Sequence, residues 1–390
     1  MRYGPYDPAV AAVPDLSVVV LTWNTRDRTL ATLAAVPAGA APCTHETVLV
    51  DNASDDGTAA AVRAAFPAVR VIESPRNVGF ARGHALALPH VRGEVVVFLN
   101  SDAVPAPGAL AALVAYLRRT PAAGLAVPPI ADASGAPQKA GWRFPSARAL
   151  LGLFTPLGWG PRRARRAAPA AAPVPADPAR EADVVETASG ACLAVRGDLL
   201  TRLGGFDVGF PFYFEDVDLC WRARRLGAEV HALARGPVVV HAGGASTVGV
   251  RGPLRLPLLQ GMLRHMRRRL PPFRFAAFAC AVKAGYVVRC VVAMLAASVA
   301  AVVHGVTGAP ARAARAAAAA REPLWFLDHD LRALLRAWGG PAPFRPLPAP
   351  RGLRADGPRV RRRGGSVPDA GPVADGRARR GPAGLTDARG

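Results

Sequence analysis

The stretch "EVVVFLNSDA", residues 94–103, carries five consecutive apolar side chains, Val95 to Leu99, and then breaks into Asn100, Ser101 and Asp102. A strand with one wet face alternates apolar and polar residues, whereas an unbroken apolar run reads as a strand covered on both faces. Four further runs share this character: "LSVVVLT" (16–22), "TVLVDN" (47–52), "VRVIE" (69–73) and "GLAVPPI" (124–130), with Ala-rich helical stretches between them. Strands alternating with helices predict an α/β fold with a mostly parallel central sheet.

Ligands of such sheets sit beyond the carboxyl ends of the strands. Here those ends are polar. The first run leads into Thr22, Trp23 and Asn24, the second into Asp51, Asn52, Ser54 and Asp55, the fourth into Asn100, Ser101 and Asp102. Each has a plain reading as a helix cap or turn; three polar ends facing one cleft read as a binding site. Farther on, "FYFEDVDLCWRARRLG" (212–227) gathers Glu215, Asp216 and Asp218 before a basic run. Acids at a helix start and arginines in its later turns suit the macrodipole. Asp218, two positions beyond Asp216, points about 200° away from it around a helix and reads as scaffold.

Taken in order, "VVVLTWN", "VLVDNASDDGT", "NVGFARG", "VVFLNSDA", "SGACLAVR", "GGFDVGFPFYFEDVDLCWRARRLG" and "VVVHAGGAS" resemble the family 2 glycosyltransferases of the GT-A fold, in particular their rhamnosyltransferase-like branch, over residues 15–250. The resemblance implies a nucleotide-sugar-binding domain. It places Asp51 at the nucleobase, with Thr22 and Asn24 nearby and Asn77, Gly79 and Arg82 from the following loop. A carboxylate accepts a hydrogen bond from the imide N–H of uracil or thymine, a donor that cytosine lacks. Where the family carries DxD, this chain reads "NSD", so the resemblance makes Asp102 a ligand of Mg2+ or Mn2+, joined by His241 after the later strand. Asp216 is implied as the general base toward an acceptor hydroxyl and Glu215 as an acceptor-binding group, with inversion at the anomeric carbon. His84 reads as a helix residue that packs or faces solvent, with contact to the donor as the alternative.

Composition adds an extension. Of 49 basic residues only Lys139 and Lys283 are lysine, and the net charge of +21 divides into +3 for residues 1–250 and +18 for 251–390. No zinc-finger spacing or RNP-like motif accompanies the basic part, which argues against nucleic acid and for an anionic membrane surface. The segment "RHMRRRLPPFRFAAFACAVKAGYVVRCVVAMLAASVAAVVHG" (264–305) is apolar but interrupted by Lys283 and Arg289, short of the roughly 20 uninterrupted apolar residues of a clear span. It reads as a helix lying on or partly inserted into the membrane, with arginines 264 to 274 at the headgroups. The five cysteines form no CxxC pair and the opening residues lack a signal-peptide core, so the expected location is the cytoplasmic face of the cell membrane. The expected divisions are an N-terminal extension (1–14), the catalytic domain (15–250), a helical membrane-associating extension (251–340) and a disordered Pro/Gly/Arg-rich tail (341–390), with a loop over the site at 131–183.

The resulting expectation is transfer of L-rhamnose from dTDP-L-rhamnose to a lipid-linked or polysaccharide acceptor. A UDP-hexose donor is the alternative within the class. A sugar-nucleotide pyrophosphorylase would want a Gly-rich N-terminal phosphate loop, which "VVVLTWNTRD" does not offer; a non-catalytic glycan- or membrane-binding module would not need Asp51, Asp102, Asp216 and His241 together.

Overall fold

The computed structural model describes residues 12–154, 180–242, 255–308 and 310–314, with Arg336 and Trp338. Most of the N-terminal extension, the middle of the loop expected over the site and the tail at 341–390 lie outside the described residues. The first half of the chain runs β1 (Leu16–Thr22), α1 (Arg26–Ala40), β2 (His45–Asp51), α2 (Thr58–Ala65), β3 (Arg70–Glu73), α3 (Phe80–Ala87), β4 (Val95–Asn100), β5 (Ala103–Pro105), α4 (Ala109–Arg119) and β6 (Ala123–Val127). Short strands β7 (Ile130–Ala131), β8 (Pro137–Gln138) and β9 (Gly141–Trp142) lead to α5 (Ala147–Phe154). Then come β10 (Ala182–Val185), β11 (Thr187–Ala188), β12 (Cys192–Arg196), α6 (Gly197–Leu203), α7 (Glu215–Arg225), β13 (Glu229–Leu233), β14 (Val239–His241), α8 (Arg255–Arg269) and α9 (Pro272–Val306).

The main sheet has the order β10-β13-β6-β12-β4-β1-β2-β3. β4, β1, β2 and β3 are parallel neighbours, as the apolar runs predict, whereas β12 enters antiparallel between β4 and β6. Successive side chains point to opposite faces. Val18, Val20, Val97 and Leu99 meet Leu33, Val36, Leu110 and Leu113 on one side, and Val19, Phe98, Leu193 and Val195 pack with Leu199, Leu219 and Ala223 on the other. The run "GLAVPPI" divides into β6 and β7, because Pro128 and Pro129 have no N–H to give a ladder. β7 joins a second small sheet in the order β5-β14-β7-β8.

A third apolar cluster joins the C-terminal helices to the catalytic part. Leu259, Met262, Leu263 and Met266 of α8 and Phe275, Phe278, Val282, Tyr286 and Cys290 of α9 pack with Leu150, and Phe214 lies against them. α9 therefore has two halves. Its first half is partly buried up to Cys290, and beyond that exposure of the apolar side chains rises from 41% at Val292 through 63% at Val299 to 84% at Val306.

Charge fastens α8 to the segment before α7. Arg264 grips Asp207 at 2.7 and 2.9 Å, and Arg268 bridges Asp207 and the fully buried Asp218. Arg222 meets the other oxygen of Asp218 at 2.8 Å and donates to the carbonyls of Leu203 and Gly205, where α6 ends. Arg264 and Arg268, expected at lipid headgroups, are thus paired with acids of the protein, whereas Arg274 is exposed.

Gly261 of α8 lies so close to the backbone before α7 that a Cβ would stand 2.6 Å from the Tyr213 carbonyl oxygen. Ala is otherwise favoured over Gly within a helix by about 1 kcal/mol. Gly261→Ala is expected to reverse that preference, lowering the thermal unfolding midpoint by several degrees. A midpoint equal to or above the wild type in a melting experiment would show that α8 can retreat from Tyr213 at no cost.

Candidate active site

The carboxyl ends of β1, β2 and β4 converge through a polar network. Asn52 N–H donates to the Thr22 carbonyl at 2.9 Å, the Thr22 hydroxyl contacts those of Thr29 and Thr25 at 2.7 and 3.0 Å, and Thr25 Oγ1 lies 3.0 Å from Ser101 Oγ. Thr22 is thereby buried in a hydroxyl cluster and braces the site from below. Asn24, with φ of 51°, donates its N–H to Ser54 Oγ at 3.0 Å and accepts the Asp55 N–H at 2.8 Å, locking the β1 and β2 loops together. Asp51 is buried, with Oδ1 held by the Ser54 N–H at 2.8 Å.

Asn52, quoted in the sequence but given no site role there, organises the next loop. Its Nδ2 donates to Asn77 Oδ1 at 2.9 Å and its Oδ1 accepts the Val78 N–H at 2.9 Å, while Asn77 Oδ1 also takes the Gly79 N–H at 3.0 Å. Gly79 has φ of 86° and ψ of 179°, a combination essentially confined to glycine, and it opens α3. Arg82 turns the other way, its Nε donating to the Val208 carbonyl at 3.0 Å. His84 is packed among Phe80, Phe98 and Phe206, with Nδ1 3.0 Å from the Phe80 carbonyl; burial holds its pKa down to about 4.

At the end of β4, Asp102 is buried and its Oδ1 lies 3.3 Å from His241 Nε2. The backbone closes the same contact, since β14 pairs with β5 and the Ala242 N–H donates to the Asp102 carbonyl at 3.1 Å. Adjacent ligands on an octahedral ion with bonds of about 2.1 Å stand about 3.0 Å apart, so the observed spacing suits two ligands of one cation. An oxygen and an imidazole nitrogen fit Mn2+ better than Mg2+, which prefers oxygen alone. No group of three or more His, Cys, Asp and Glu side chains gathers among the described residues, so the fit leaves the remaining positions to ligand oxygens and water.

The carboxylate pair is reached from β12. Gly190, just before this strand, donates its N–H to Asp216 Oδ2 at 3.3 Å, and the Val217 N–H donates to Oδ1 at 2.8 Å. The Asn100 N–H donates to the Ala191 carbonyl at 2.9 Å. A single pairing thus sets Asp216 beside the end of β4. Glu215 is buried, and its Oε2 has no hydrogen-bond partner among the described residues. Its carboxyl is buried at the helix start. Burial, and then the neighbouring Asp216 charge, push Glu215 well above the ordinary glutamate range; burial also raises Asp216, against the two N–H donors that favour its ionised form. Asp218 faces away into the arginine cluster, as its position on the helix predicts. Of the aromatics around it, Phe210 is core and Tyr213 is exposed.

A group that holds its proton more tightly folded than unfolded makes stability fall as pH rises through the interval between its two pKa values. For Glu215 that interval begins near the ordinary 4.5 and extends upward. Glu215→Gln should therefore be progressively stabilised relative to the wild type between pH 5 and pH 8, as read by denaturant unfolding. A difference that stays constant with pH would remove the buried proton from Glu215.

The sequence profile described as "Glycosyltransferase like family 2" matches residues 14–252. The N-acetylglucosaminyl-diphospho-decaprenol L-rhamnosyltransferases of Mycobacterium tuberculosis strains CDC 1551 / Oshkosh and ATCC 25618 / H37Rv are each 32% identical over 198 residues, covering 46% of this chain and 61% of theirs. The match thus spans about three fifths of those relatives. Among solved structures, the mannosyltransferase PcManGT from Pyrobaculum calidifontis in complex with GDP-Man and Mn2+ superposes with a TM-score of 0.46 at 22% identity, covering 84% of this chain and 92% of that one. GalNAc-T7 with UDP, GalNAc and Mn2+ gives 0.45 at 17% identity over 66% and 48%. Since the profile takes in every strand of the main sheet together with Asp51, Asp102, Asp216 and His241, the chain belongs to the family 2 glycosyltransferases, with their GT-A-like α/β fold.

Proposed function

We propose that this chain transfers a sugar from a nucleoside diphosphate to a hydroxyl of a lipid-linked glycan precursor, with inversion, and that the sugar is L-rhamnose from dTDP-L-rhamnose. The observation that carries the reaction class is Asp216, held by two backbone N–H groups beside a buried Glu215 and tied through Gly190 and β12 to the Asp102–His241 pair. The name of the mycobacterial relatives favours rhamnose and a lipid-linked acceptor. A UDP-linked hexose is the second reading, because Asp51 would meet uracil and thymine through the same imide N–H.

In this mechanism Glu215 keeps a proton and leaves Asp216 as the ionised member of the pair. Asp216 removes the proton of the acceptor hydroxyl as that oxygen forms its bond to the anomeric carbon. The bond from that carbon to the diphosphate oxygen breaks, its electron pair leaving with the nucleoside diphosphate, so one displacement inverts the centre. Asp102 and His241 would hold a divalent cation, which when bound supplies Lewis-acid stabilisation of the departing diphosphate. Asp51 orients the base, with Asn24, Asn52, Asn77 and Gly79 shaping its loop.

Membrane attachment follows from α9. It is long and apolar enough to cross a membrane by length and composition, and the stretch after Arg289 presents apolar side chains on all sides. That half enters the lipid, and the exposed Arg267 and Arg274 face headgroups.

Asp216→Asn should lower the transfer rate at least about a hundredfold, the usual loss for a general base, while donor affinity by calorimetry stays within about twofold by the same argument. Asp51→Ala should show the converse, with donor affinity falling on the order of tenfold for a lost charged hydrogen bond. Equal donor affinity in Asp51→Ala would reduce Asp51 to a turn residue. A nucleotide exchange driven by pyrophosphate would instead place the protein among pyrophosphorylases.

For attachment, the double substitution Leu295→Glu with Val299→Glu should move most of the full chain from membranes to the soluble fraction. High salt should release only a minor part, because two of the arginines are engaged internally. Undiminished membrane recovery of the double variant would move the attachment site away from α9.

A further inference from the structure

The geometry points to Gln138 as the positioning residue that fixes the tautomer of His241 and aims its Nε2 at the cation site. This rests on the proposed reading of Asp102 and His241 as ligands. Gln138 lies on β8, separated from β14 by β7, and its side chain reaches across to clasp His241 twice. Its Nε2 donates to the His241 carbonyl at 2.9 Å, and its Oε1 stands 3.3 Å from His241 Nδ1.

The two contacts are not independent. A backbone carbonyl only accepts, so the amide NH2 must face it and the amide oxygen must face the ring. An oxygen opposite Nδ1 requires a proton on Nδ1, which leaves the lone pair on Nε2. Of the other neighbours of Nε2, Asn100 Nδ2 approaches at 3.4 Å as a donor and agrees, whereas Asp102 Oδ1, 3.3 Å away, draws a proton onto Nε2 when no cation lies between them and is the group the clasp opposes. Histidine ligands are commonly oriented by a partner on the second ring nitrogen, whose loss typically lowers metal affinity 10- to 100-fold. Here one amide reads both the main chain and the ring of the same residue, so the ring cannot flip without breaking a contact whose direction the carbonyl dictates.

The test uses the full chain with 15N-labelled histidine. In metal-free protein the His241 signals, assigned by their loss in His241→Ala, are expected to show a protonated Nδ1 and a bare Nε2. Gln138→Leu should shift them toward the other tautomer and weaken Mn2+ binding in the presence of UDP, followed by electron paramagnetic resonance, on the order of tenfold. Gln138→Glu keeps an acceptor for Nδ1 and should retain the wild-type tautomer and most of the affinity. A wild-type Nε2–H tautomer overturns the proposal, as does unchanged Mn2+ affinity in Gln138→Leu when His241→Ala weakens it. Unchanged affinity in His241→Ala itself overturns the underlying ligand assignment, and with it the aim of the clasp, whatever the tautomer.

Discussion

The antiparallel pairing of β12 with β4 is the constraint on which the site depends. It puts Cys192 opposite Leu99, so β12 begins where β4 ends. The Asn100 N–H reaches the Ala191 carbonyl, and one residue earlier Gly190 reaches Asp216. A parallel β12 would carry Gly190 to the opposite edge of the sheet, and a slip of one residue would turn Leu193 and Val195 from one core to the other. The apolar packing on both faces therefore also sets the separation between Asp216 and the carboxyl end of β4. No contact within the cleft has to do so.

Backbone conformation tells the same story from the surface inward. Among the described residues, the non-glycine positions with positive φ are Asn24, Ala53, Tyr213 and Phe214, two in the loops beside Asp51 and two directly before Glu215. Each departs from the preferred regions at a cost of order 1–3 kcal/mol, less for Asn. Hydrogen bonds among Asn24, Ser54 and Asp55 hold the first pair. The second pair is hemmed by α8, where Gly261 admits the Tyr213 carbonyl and Arg264 and Arg268 hold Asp207 and Asp218 on either side. Ionic contacts distant from any substrate thus keep the start of α7 in shape.

Much of this was legible in the sequence, and the omissions have a common cause. The runs at 16–22, 47–52 and 94–100 gave β1, β2 and β4 because burial on both faces leaves a local signature, whereas the run at 69–73 gave β3 as an edge strand whose residues are exposed or half-buried. Asp218 as scaffold followed from helix geometry, whereas the local pattern left His84 open between packing, solvent and donor. The insertion of β12, the clasp by Gln138, the bracing role of Thr22 and the turn of Arg82 toward Val208 depend on pairings between distant segments, which no local pattern reports. Glu215 shows the limit most clearly: its burial and its unpartnered Oε2 beside Asp216 depend on packing around the turn at Tyr213 and Phe214, which the local sequence does not report.

The family profile ends at residue 252, and α8 begins at 255, yet α8 supplies one wall of the turn that leads into α7. The border of sequence similarity is therefore not a border of cooperative structure. A chimera that grafted another relative's C-terminal helices after residue 252 would set unfamiliar side chains against Tyr213, leave Asp207 without its guanidinium partners and leave Asp218 with Arg222 alone. Modules of this enzyme are exchangeable only if the acids at 207 and 218, the glycine at 261 and the arginines at 264 and 268 travel together. Divergence along the lineage is expected to change these positions as a set, while the apolar end of α9 drifts freely in sequence so long as it stays apolar.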